Sequence, residues 1–111
     1  MCIDDADRLF RALAAEERRL ALVVLTEHHT LSLPDLAEAV IEHRRARPVA
    51  DLSAEDVKEC YLDLYHRHVP LLEDAGLIEY EQERDLVRIT GRGDDTADGL
   101  EHWEEAFDRE R

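Results

Sequence analysis

The chain has 111 residues, of which 28 are acidic and 14 basic, for a net charge of −14. That length suits one domain with one modest core, and an apolar share of 44% is near the globular norm, which argues against a wholly disordered chain. The longest apolar run, Leu20 to Leu25, is too short to span a bilayer, so no membrane association is expected.

No charged segment followed by an apolar one opens the sequence, and nothing else suggests export. Two lone cysteines, Cys2 and Cys60, build no disulfide framework, so the expected setting is the reducing cytoplasm. Lys58 is the single lysine, arginine supplies the other bases, and asparagine is absent. A chain that repels itself this strongly is best suited to molar salt, where the Debye length falls to about 3 Å. The composition therefore points to a halophilic host; the plain alternative is an acidic protein that happens to use arginine. The charge is uneven: residues 1–43 carry nine acids and four bases, residues 44–92 eleven and eight, and residues 93–111 eight and two. If any surface meets a polyanion, it is expected in the middle segment.

Asp4, Asp5 and Asp7 sit where acids favour a helix start, and Leu9, Phe10 and Leu13 give that first helix an apolar stripe. The spacing predicts a second helix from Ala15 to His28, with Leu20, Val23, Val24 and Leu25 inward. After a polar break at His29-Thr30, Ser32 is a candidate N-cap with Pro34 in the first turn. Leu33, Leu36, Ala37, Val40 and Ile41 then form one helical face, which the basic run Arg44-Arg45-Ala46-Arg47-Pro48 ends. Ser53 with Asp56 is a capping pattern for the longest helix, carrying Val57, Tyr61, Leu64, Tyr65, His68 and Val69 on one side. Pro70 is expected to interrupt it, and Gly76 to close it as the residue after the C-cap.

Beyond Gly76 the period changes. Leu77, Ile78 and Tyr80, a polar stretch, then Leu86, Val87 and Ile89 predict two short strands and a tight turn. Residues 1–92 are thus expected to form the domain, and residues 93–111 an acidic terminal helix with Leu100, Trp103 and Phe107 on its apolar side. The predicted fold class is mainly α with a small β-hairpin.

Three stretches carry a family resemblance, one of them Leu36-Ala37-Glu38-Ala39-Val40, which looks like the second helix of ArsR-like winged helix-turn-helix regulators. Leu9-Phe10-Arg11-Ala12-Leu13 with Glu17-Arg18-Arg19-Leu20 resembles the opening helices of ArsR-like winged helix-turn-helix regulators. His68-Val69-Pro70-Leu71-Leu72-Glu73-Asp74-Ala75-Gly76-Leu77-Ile78 resembles the end of their recognition helix entering the wing. The run is closer still to a winged-helix domain of haloarchaea, typified by Tyr61-Leu62-Asp63-Leu64-Tyr65-His66, and the likeness covers roughly residues 7–90. It implies a DNA-binding transcription regulator, with a recognition helix at 53–69 in the major groove and a wing at 77–90 on flanking DNA. The alternative is a winged-helix protein-interaction module that does not bind DNA. Cys60 stands alone where metal-sensing relatives carry a Cys-x-Cys pair, so metal sensing is not carried over.

The candidate DNA contacts are Arg44, Arg45, Arg47, Lys58, His66, Arg67, Arg84 and Arg88. The arginines each have a plain alternative. Arg67 can pair with Asp63 at i, i+4, wing arginines can blunt an edge strand, and the Arg44–Arg47 cluster can cap a helix end. His66 and His68 point apart on a helix and cannot share an ion, and His68 reads as a core histidine. No serine–histidine–acid set, phosphate-binding glycine loop or HExxH motif occurs, so neither catalysis nor a cofactor is expected. Leu100, Trp103 and Phe107 are candidate homodimer contacts, the alternative being that their helix packs back on the first helix.

Overall fold

The computed structural model describes residues 2–109, with side chains described over residues 5–102. Helix α1 (Cys2–Leu13) leads into α2 (Glu16–His28), a short strand β1 (Thr30–Ser32) and α3 (Leu33–Arg45). A 3₁₀ turn (Val49–Asp51) then reaches α4 (Ala54–Asp63), which continues without a break through a π turn (Leu64–His68) into α5 (Val69–Asp74). Strands β2 (Ile78–Glu81) and β3 (Leu86–Ile89) form a hairpin, and α6 (Gly91–Arg109) ends the fold. The chain is mainly helical, with one small antiparallel sheet in the order β1-β3-β2.

Local chemistry sets most of these boundaries. Ser32 Oγ accepts from the Asp35 amide at 3.2 Å and Ser53 Oγ from the Asp56 amide at 3.0 Å, so both anticipated N-caps are made. Helix α3 ends because Ala46 turns left-handed at φ 53°, ahead of Pro48. Gly76, at φ 76°, closes α5: its amide reaches the Glu73 carbonyl at 2.9 Å and the Leu77 amide the Leu72 carbonyl at 3.0 Å. These are the paired bonds of a Schellman motif, which needs a left-handed residue at that position.

Pro70 has no amide to continue an α-helical ladder, and its ring would crowd the carbonyl four residues back. The chain answers by widening just before it, where the Val69 amide bonds the Leu64 carbonyl in a π turn. The expected interruption is therefore present, as a change of winding rather than a break.

The core is filled by Ala21, Leu22 and Leu25 of α2, Leu33, Leu36 and Val40 of α3, Leu64, Val69 and Leu72 of the long helix, and the sheet residues Ile78 and Val87. Helix α2 is rotated from its expected phase, since Ala21 and Leu22 are fully buried whereas Leu20 and Val23 are only half-buried. The third strand was not anticipated. Residues 30–32 are too few to show a period of two, yet Leu31 registers with Val87 and completes the sheet.

The terminal helix begins at Gly91, two residues before the expected start at Gly93. Thr90 explains this: its carbonyl accepts from Asp94 at 2.9 Å and its hydroxyl from Gly93 at 3.0 Å. Helix α6 packs on α2 and β3, with Ala97 fully buried and Leu100 half-buried against the core. Trp103 and Phe107 lie outside the residues whose side chains are described.

A Cβ at Gly93 would collide with the Leu77 carbonyl and come within 2.7 Å of Ile89 Cγ1, whereas one at Gly99 meets nothing within 4 Å. Gly93→Ala should lower unfolding free energy by about 2 kcal/mol through overpacking. Gly99→Ala should raise it by up to about 1 kcal/mol through helix propensity. Chemical denaturation of the two variants at one salt concentration checks the contrast.

Candidate functional site

The long helix is held by a buried polar cluster at its π turn. Arg18 and His68 are 6% and 3% exposed. Arg18 Nε donates to the Ala12 carbonyl at 2.8 Å and Nη2 to the Arg11 carbonyl at 2.9 Å, so its guanidinium caps the open end of α1. Nη1 lies 3.0 Å from His68 Nδ1. A guanidinium can only donate, so that ring nitrogen accepts and the neutral ring carries its proton on Nε2. Nε2 faces Glu17 Oε2 at 3.5 Å. One arginine thereby joins α1, α2 and the π turn, and no buried side-chain nitrogen or oxygen among the described residues lacks a partner. His68 is the satisfied core histidine that its place on the apolar face implied.

Sequence reasoning alone passes over Arg18. The signal is present, because residue 18 lies three, four and seven positions before the buried Ala21, Leu22 and Leu25 and so falls on the same stripe.

The hairpin is fastened to the same turn. Gln82 Nε2 donates to Tyr65 Oη at 3.0 Å, and the Tyr65 and Tyr80 rings meet edge to face at 6.2 Å. Tyr80 Oη donates to Asp85 Oδ1 at 2.6 Å across the turn, where Asp85 takes φ 54°. Burial, and then this bond, push the Tyr80 phenol well above its ordinary range. Glu73 Oε2 accepts from the Tyr80 amide at 3.1 Å, covering part of the outer edge of β2.

The candidate contact residues fall into two groups. Arg44 lies 3.9 Å from Glu16 and 3.7 Å from Glu17, and Arg45 lies 3.7 Å from Asp56. Arg84 pairs with Glu81 at 3.5 Å within the turn, and Arg88 with Glu79 at 2.8 Å across the hairpin. Among the described residues, no carboxylate lies within 4.0 Å of Arg47, Lys58 or Arg67, all of which are exposed. The Arg67–Asp63 pair that the spacing allowed is not among the ion pairs formed. His66 is exposed and stands edge-on to the Tyr65 ring at 5.0 Å.

The outer side of α4 carries Glu55, Lys58, Glu59, Leu62 and Asp63, all exposed. It lies opposite the packed side on which Val57, Cys60 and Tyr61 are half-buried. Burial, with the nearby Asp63, pushes the Cys60 thiol up to about 11, and Cys60 Sγ donates to the Ala37 carbonyl at 3.6 Å. A thiol held protonated in this way is a poor nucleophile and a poor metal ligand. No group of three or more potential metal-ligating side chains comes together among the described residues, and no helix there is long and apolar enough to cross a membrane.

This geometry defines a mainly helical domain built around one long helix, with a short hairpin tied to its centre. Residues 10–88 match the family described as "Domain of unknown function (DUF7344)", and the chain belongs to that family. No curated protein and no solved structure matches the chain.

The cluster also makes stability depend on pH. Burial, and then the Arg18 charge, lower the His68 pKa from its ordinary 6.5, against the opposing pull of Glu17 and Asp63. The unfolded chain therefore takes up this proton at a higher pH than the folded one, so stability is lost as pH falls through about 6.5 toward the depressed folded value. His68→Gln keeps an acceptor for Arg18 without a titrating ring. Thermal melting between pH 7.5 and 5 at fixed salt should show a shallower loss in the variant, and equal slopes would exclude His68 as a source.

Proposed function

We propose that this protein is a winged helix-turn-helix DNA-binding transcription regulator of a halophilic archaeon, related to ArsR-like regulators. The observation that carries the reading is the arrangement of α2, α3 and the long helix around a β1-β3-β2 sheet, with the outer side of α4 uncovered among the described residues. In that plan residues 53–69 serve as the recognition helix and 77–90 as the wing. Arg47, Lys58 and Arg67 are the first candidates for phosphate or base contact, because among the described residues no carboxylate holds them. Arg44, Arg45, Arg84 and Arg88 are about half exposed or more, and their surface pairs are weak enough to be exchanged for phosphate. Two copies meeting through the terminal helices, with Trp103 and Phe107 at the contact, would place two long helices in successive grooves.

A second reading has its own support. The −14 charge and the acids Glu55, Glu59 and Asp63 on the outer side of α4 oppose a polyanion, which favours a protein-interaction module. Salt separates the two. A self-repelling acidic binder gains from screening, so its affinity for duplex DNA should rise toward molar potassium chloride, opposite to ordinary counterion release.

Selection from a randomised duplex pool at low and molar salt should yield a sequence motif at molar salt. Enrichment of no sequence under either condition would discard the regulator in favour of the module. Reversing Arg47, Lys58 and Arg67 to glutamate, one at a time, should weaken binding to the selected site on the order of tenfold wherever the native side chain holds a phosphate. Circular dichroism would verify that the fold is kept.

A further inference from the structure

Leu62 is one of two large apolar side chains exposed among the described residues, at 40%, and it sits on the outer side of α4 near its C-terminal end. Its neighbours on α4 are charged: Glu59 and Lys58 precede it by three and four residues, Asp63 follows, and Glu55 lies two turns back, while Tyr65 and His66 follow three and four residues on in the π turn. The packed side of the helix runs through Val57, Tyr61, Leu64 and His68, so Leu62 is not a frayed member of the core.

A solitary leucine in such surroundings is poorly suited to another protein. The buried centre of a protein interface is depleted of charged residues and draws on a contiguous apolar patch, and α4 offers none around Leu62. The floor of a DNA major groove has the matching pattern. It presents isolated methyl groups, one on each thymine, between exocyclic amines and ring acceptors. Glu55, Glu59 and Asp63 can only accept, and the amines of cytosine and adenine are the groove's donors to them.

We infer that Leu62 is a specificity-determining residue that packs on a thymine methyl, beside a cytosine or adenine whose amine one of the α4 carboxylates accepts. The inference rests on the regulator reading and makes it more specific: the acids on this helix select bases, while Arg47, Lys58 and Arg67 supply the attraction to the backbone. It also accounts for how an acidic helix could serve a polyanion, since its carboxylates point at amines rather than phosphates.

The test uses the full chain and the duplex selected at molar potassium chloride. Each thymine of the selected site is replaced in turn by deoxyuridine, which removes the methyl and nothing else. At one position the replacement should weaken wild-type binding roughly fourfold, the worth of one buried methyl-sized group. Leu62→Ala, at an exposed helical position where alanine folds well, should bind the thymine and deoxyuridine duplexes equally. Indifference of the wild-type protein to every replacement would overturn the assignment while leaving DNA binding intact. So would an unchanged preference in Leu62→Ala. Selection of no sequence overturns the regulator reading, and the role of Leu62 with it.

Discussion

The contact on which the architecture depends is the buried guanidinium of Arg18. A cation this enclosed needs hydrogen-bond partners, and here each guanidinium nitrogen has one: two carbonyls at the end of α1 and the ring of His68. Because His68 must be neutral to accept, and Glu17 faces its other nitrogen, three residues fix one protonation pattern as well as one geometry. Apolar packing would hold α1, α2 and the long helix together in several rotational settings. This directional set selects one, and so decides which side of α4 is turned to solvent.

The same point explains what can be read in advance. Helices α2 and α3, the long helix and the hairpin follow from period and capping: Ser32, Ser53 and Gly76 each do what their chemistry implies. The strand at Thr30–Ser32 could not be read, because its pairing with β3 is a tertiary event across more than fifty residues. Arg18 escapes because charge ordinarily marks surface, although its position on the α2 stripe says otherwise. Pro70 announces a disturbance but not its form. The candidate contacts are legible as residue types only. Which of the arginines already have carboxylate partners depends on side-chain placement that no spacing rule gives.

Charge acts at two scales in this molecule. The net −14 sets a field that favours concentrated salt. Locally, the bases of the middle segment are divided between those engaged by neighbours at 2.8–3.9 Å and those with no carboxylate so close among the described residues. At molar salt the wider of these surface pairs are comparable to the screening length, so the engaged set loses hold sooner than the buried Arg18 cluster does. The interior and the surface therefore respond differently to the same change of medium.

The π turn adds a mechanical property. A wider winding divides the long helix into a leading half with no fully buried side chain and a trailing half anchored by Val69 and Leu72. That joint carries both the Arg18–His68 contact and the Tyr65 contacts that fasten the hairpin. Because the joint is pinned both to the interior and to the hairpin, a surface that meets the leading half is presented with the hairpin at one set angle.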